Sequence, residues 1–97
     1  MKKIRWLKIK EVASKVAGCP IKITMSTSLS KNLRGVCVKE GKALHILLNA
    51  EYSKNEDDVI ETVAHELAHQ DYPNQHNKEW KKRRDAILKE LKTLMKA

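Results

Sequence analysis

His65-Glu66-Leu67-Ala68-His69 is the stretch that organises the reading of this 97-residue chain. It falls in a run where Val59, Val63 and Leu67 form one apolar stripe and Ile60, Ala64 and Ala68 lie beside it, which is helical periodicity. On an α-helix, positions four apart rise about 6 Å and differ by only about 40° around the axis. Both imidazoles therefore project from one face, at a separation suited to gripping a single metal ion. Glu66 follows the first imidazole by one residue, so its carboxylate can reach a water on the ion without binding the ion. Two such histidines with that glutamate are the residues of zinc-assisted peptide hydrolysis.

Working outward, Ser53 followed by Glu56 has the spacing of a capping box, and Glu56, Asp57 and Asp58 place negative charge in the first turn of this helix. Asp71-Tyr72-Pro73-Asn74 ends it. A last helix is expected from about Asn77 to Lys96, burying Trp80, Ile87, Leu91, Leu94 and Met95. Upstream, Trp6, Ile9, Ala13, Val16 and Ala17 recur at helical spacing until Gly18 and Pro20 supply a stop. Ile21, Ile23 and Met25 alternate with polar residues as in a strand, and residues 26–32 read as a polar loop. Arg34 to Lys39 and Ala43 to Leu48 read as two further strands joined by a turn at Glu40-Gly41-Lys42. The expectation is a single α+β domain over residues 1–97: an N-terminal helix, a small three-stranded antiparallel sheet, the HExxH helix and a C-terminal helix.

The chain is 41% hydrophobic and 33% charged, which favours folding over disorder. No apolar run approaches the roughly 18 residues of a membrane span, and the lysine-rich start lacks the apolar core of a signal peptide. A cytoplasmic protein with no membrane association is expected, its two cysteines, Cys19 and Cys37, being buried reduced thiols. The net charge of +8 is uneven: residues 1–50 hold eleven Lys/Arg against two Asp/Glu, residues 51–97 nine against ten. A basic half can attract nucleic acid. No aromatic residues are interleaved for base stacking, however, so a solvated Lys-rich surface is preferred. Lys81-Lys82-Arg83-Arg84 is read as the wet side of the last helix, because four consecutive helical residues cannot face one ligand.

A catalytic zinc site usually has three protein ligands and one open position. The segment after Pro73 offers His76 first and Glu79 second, three residues apart. Asp71 is either a solvated acid or an orienting partner for a ligand histidine. Tyr52 and Tyr72 are candidate electrophiles without further support, and His45 reads as an ordinary strand residue. Glu66 is the candidate general base. A peptide or protein substrate would lie extended along an edge strand, for which residues 43–48 are the candidate.

The run Ile46-Leu47-Leu48-Asn49-Ala50, the acidic helix start, His65-Glu66-Leu67-Ala68-His69 and finally His76-Asn77-Lys78-Glu79-Trp80 resemble the SprT-like metallopeptidases, over roughly residues 44–88. That resemblance implies zinc as cofactor and His76 as the third ligand, and it would suit a protease acting on DNA-bound proteins. In size and layout the chain is also similar to the minigluzincins, minimal zincin-like peptidases made as self-inhibited zymogens. That likeness would make the third ligand a glutamate, with Glu79 best placed, and would give the amphipathic end, Leu91 to Ala97, an inhibitory role. Two other readings stand beside the peptidase: a basic nucleic-acid-binding module with a structural metal, which leaves Glu66 without a purpose, and a partner-binding protein that retains the ligands without activity.

Overall fold

The computed structural model describes residues 3–72 and 77–97. Helix α1 (Trp6–Ala17) is followed by strands β1 (Ile21–Ser26), β2 (Gly35–Glu40) and β3 (Ala43–Asn49), a 3-10 turn (Ala50–Tyr52), helix α2 (Glu56–Asp71) and helix α3 (Lys78–Met95). α1 buries Ile9, Val12 and Ala13 and ends where Gly18 takes a left-handed conformation, φ 73°, and donates to the Ser14 carbonyl. The β2–β3 hairpin turns through Gly41 at φ 63° with Lys42 at negative φ, the φ pattern of a II′ turn.

The sheet corrects the antiparallel expectation. Its order is β1-β3-β2, with β2 antiparallel and β1 parallel to β3. Residues 27–34 carry the chain across so that β3 inserts between its two predecessors. β3 is the most apolar strand, and a central place pairs both of its edges while Leu44, Ile46 and Leu48 become buried. Residues 43–48 are therefore not an edge and cannot receive a substrate strand; the edges are β1 and β2.

Both α1 and α2 lie on the face of the sheet that carries Leu44 and Ile46, and α3 packs on α2 and α1. Trp80, Ile87, Leu91 and Met95 bury the inner side of α3, leaving Leu94 at the margin. The opposite sheet face is partly exposed and mixed, with Lys22, Thr24, Glu40 and His45 beside Val36, Val38 and Leu47. There His45 bonds Thr24 Oγ1 at 2.7 Å and Glu40 Oε2 at 3.3 Å, away from the helices, in keeping with an ordinary strand residue. Cys19 and Cys37 are free thiols and only half-buried. Among the described residues no helix is long and apolar enough to cross a membrane.

The start of α2 departs from the capping-box reading. Asn55 is the N-cap, its Oδ1 accepting from the Asp58 amide at 2.9 Å, while Asp58 Oδ2 accepts from the Lys54 amide at 3.2 Å. Ser53 instead closes the preceding 3-10 turn, and its buried hydroxyl has no partner among the described residues. Glu56 is held by Arg5, whose Nε and Nη2 donate to its two carboxylate oxygens at 3.0 and 2.8 Å. The same guanidinium donates to the Met95 carbonyl at 3.2 Å, and Lys8 donates to the Ala97 carbonyl. The C-terminal turn is thus fastened at the N-terminal end of α2.

Candidate active site

His65, Glu66 and His69 occupy the C-terminal half of α2, and its buried stripe (Val59, Val63, Leu67) fixes how they face. The His65 and His69 Nε2 atoms lie 3.1 Å apart, with ring centroids separated by 4.7 Å. His69 Nδ1 lies 3.4 Å from the Tyr72 carbonyl. A carbonyl can only accept, so Nδ1 carries the proton and Nε2 presents its lone pair. Nitrogens bound at about 2.1 Å on a tetrahedral zinc ion sit roughly 3.4 Å apart. The observed spacing is close to that, so the pair fits a zinc ion. The Trp80 ring stands behind both imidazoles, with centroids 4.9 Å from His65 and 5.1 Å from His69. Asn77 places that ring: it caps α3 by accepting from the Trp80 amide at 3.0 Å. Trp80 is therefore a core anchor, as expected, and also the wall against which the two histidines are set.

Glu66 is 9% exposed, and its Oε2 is 4.0 Å from His65 Nε2. Burial pushes its carboxyl up to about 7. Such a group can both take and return a proton near neutral pH.

The three side chains line an open cleft of about 660 Å³, whose other wall is Asn32 to Cys37 on the loop into β2 and the start of that strand. Two residues with no assigned role in the sequence build this wall. Asn49 Nδ2 donates to the Ser30 and Leu33 carbonyls at 3.2 and 2.7 Å, and its Oδ1 accepts from the Glu51 amide at 3.1 Å, which pins the loop. Gly35 lets β2 approach α2: a Cβ there would meet Thr62 Cγ2 at 2.8 Å and the Leu47 carbonyl oxygen at 2.9 Å. An isolated glycine inside a strand pattern is a signal for such close approach. Cys37 also faces the cleft, but its thiol is pushed up to about 11 by burial, then by the Glu66 charge and by Cys19. It stays protonated and is no nucleophile at neutral pH.

The remaining candidates separate. His76 lies outside the described residues. Glu79 is exposed in the first turn of α3, and among the described residues no three His, Cys, Asp or Glu side chains come together as a metal-binding group. Asp71 Oδ2 receives Arg83 Nε at 2.7 Å, so it ties the end of α2 to α3 and does not orient a histidine. Tyr52 donates to the Lys31 carbonyl at 2.7 Å and helps hold the loop. The basic run divides as its helical positions require: Arg83 goes to Asp71, and Arg84 to Asp85 with its guanidinium 5.2 Å over the Trp80 ring.

A helix presenting two convergent imidazoles and an adjacent acid toward an edge strand is the layout of a metallopeptidase-like domain. The model of the SprT-like family matches residues 9–96, and the chain belongs to that family, in keeping with a minigluzincin-type arrangement. Neither a curated protein nor a solved structure matches it.

Proposed function

We propose that the chain is a zinc-dependent endopeptidase. The observation that carries this reading is the 3.1 Å convergence of the His65 and His69 Nε2 atoms next to the buried Glu66, on the floor of a cleft bounded by β2. His65 and His69 would hold the ion with His76, the third ligand of the family pattern; among the described residues Glu79 does not join the two histidines in a three-residue group, which weighs against the alternative. When bound, zinc supplies a water acidic enough to attack near neutral pH and a Lewis acid for the peptide carbonyl.

The chain's own residues do the rest. The Glu66 carboxylate takes the proton of the attacking water and passes it to the leaving amine. Its partial burial disfavours the charged carboxylate and so strengthens its hold on that proton. The Tyr72 carbonyl and the Trp80 ring fix the imidazole planes. The unpaired edge of β2 offers backbone donors and acceptors to an extended peptide, which gives affinity without sequence selectivity. A peptide or protein is accordingly the proposed substrate. Half-buried free thiols suit a reducing, cytoplasmic setting. Autoinhibition by Leu91 to Ala97 is not part of this reading, because that turn is packed on α1 and the far end of α2. Division of the basic run among separate faces likewise weighs against a nucleic-acid module.

Purified protein loaded with zinc should cleave an unfolded protein, and a chelator should stop it. Glu66→Ala should abolish cleavage while retaining one zinc per chain. Equal cleavage by that variant, or failure of the wild type to bind zinc, defeats the proposal.

A further inference from the structure

Beyond His65 the cleft continues into a separate pocket of about 260 Å³ between α2 and α3. Its lining is Arg34, Glu61, Thr62, His65, Arg84 and Leu88, and Arg34 and His65 belong to both cavities. A peptide lying along β2 with its scissile bond over the histidine pair would therefore drop a neighbouring side chain into it. The volume suits one residue. Leu88 contributes an apolar side chain to the lining, and two arginines line it against one acid, Glu61.

The two arginines are prepared in different ways. Arg84 is held from outside the pocket: Asp85 accepts from its Nε at 3.2 Å and its Nη2 at 3.0 Å, and its guanidinium lies over Trp80. That pairing is solvent-exposed and weakly neutralising, so it orients the group more than it cancels the charge. Arg34 has no hydrogen-bond or ion-pair partner for its guanidinium among the described residues. It is placed by Asn49, which pins the loop through Leu33 and whose amide donates to the Arg34 carbonyl at 2.8 Å. Among the described residues Glu61 forms no ion pair with either arginine, Arg84 pairing with Asp85 instead. It sets the limit on the positive character of the pocket and is the group that would select a cation instead.

We infer that this pocket selects a carboxylate next to the scissile bond, with Arg34 and Arg84 as the specificity-determining residues. The carboxylate comes from a Glu or Asp side chain or from the C-terminus of a short peptide. The inference rests on the peptidase reading for the position of the bond, and not for the binding itself.

The test separates the two. Zinc-loaded Glu66→Ala protein, which cannot turn substrate over, is titrated with blocked peptides identical except for Glu, Gln or Lys at one position. A further pair has a free or amidated C-terminus, and anisotropy of a peptide label gives the affinity. The Glu peptide should bind about tenfold tighter than its Gln isostere, as one charge-assisted hydrogen bond supplies. Arg34→Ala and Arg84→Ala should each remove most of that advantage, Arg34→Lys should keep part of it, and Glu61→Gln should enlarge it. A preference for the free C-terminus alone assigns the carboxylate to chain ends. Equal binding of Glu, Gln and free-end peptides, a Lys preference, or an advantage that survives both arginine changes overturns the inference. Arg34 is exposed, so Arg34→Ala decides the matter if Arg84→Ala fails to fold. Cleavage by the wild type without acid preference defeats only the pocket. Arginine-dependent binding without any cleavage defeats only the peptidase.

Discussion

Gly35→Ala tests how the cleft is built. The added methyl would lie 2.8 Å from Thr62 Cγ2 and 2.9 Å from the Leu47 carbonyl oxygen, against an ordinary contact of 3.4–4 Å. Each gap must open by roughly half an ångström, one against the main chain of β3, which cannot move alone, and one against the β-branched side chain of Thr62. Overpacking of this kind costs about 1–3 kcal/mol. In a domain this small, that lowers Tm by roughly 5–20 °C. Glu66 Cγ is 3.9 Å from the same position, so the strand that retreats is the one bordering the proposed base. A fall of about 10- to 100-fold in kcat/KM is expected from such a displacement. Thr62→Ser removes the offending methyl and keeps the hydroxyl, so the double variant should recover about 0.5–1 kcal/mol relative to the sum of the singles. Urea unfolding of the four proteins and peptide cleavage at matched temperature give both readouts. A Gly35→Ala protein as stable as wild type, or additivity with Thr62→Ser, would refute the argument.

Other expectations are simpler. Asn55→Ala should cost about 1 kcal/mol as a lost helix cap, whereas Ser53→Ala should be neutral or stabilising because it removes a buried hydroxyl with no described partner; the reverse order in denaturant melts would restore the capping-box reading. In chelated protein the Glu66 carboxyl sits at about 7 when folded, against an ordinary 4.5. The folded state then holds the proton more tightly, so its contribution is full below about 4.5 and is lost as pH rises through 7. Melting temperatures of chelated wild type and Glu66→Gln should therefore agree near pH 4.5 and diverge by pH 8, with Gln the more stable; a constant difference would contradict the burial argument. Deleting residues 91–97 removes buried Leu91 and Met95 together with the Arg5 and Lys8 contacts. It should lower Tm sharply without raising activity, and higher cleavage at unchanged Tm would restore self-inhibition.

How much was legible depended on whether the information was local. The α1 stripe and its Gly18 stop, the β2–β3 hairpin, and the facing of His65 and His69 follow from periodicity and turn chemistry within a dozen residues. Asn55 caps α2 in place of Ser53 because both precede an acidic first turn, and only the path of the 3-10 turn decides which reaches an amide. Asp71 and Tyr52 took structural partners, Arg83 and the Lys31 carbonyl, that no spacing rule links to them.

From the sequence came the helix with its two imidazoles and acid, since a helical face is set by a repeat of 3.6 residues and needs no distant contact. Tertiary structure alone decided the strand order, because burying the most apolar strand at the centre outweighs pairing neighbours in sequence. It thereby made β2 the strand beside Glu66 and brought Arg34 to the same pocket as Arg84, fifty residues along the chain. Such pairings depend on which surfaces must leave water together, a property of the whole chain and of no single segment.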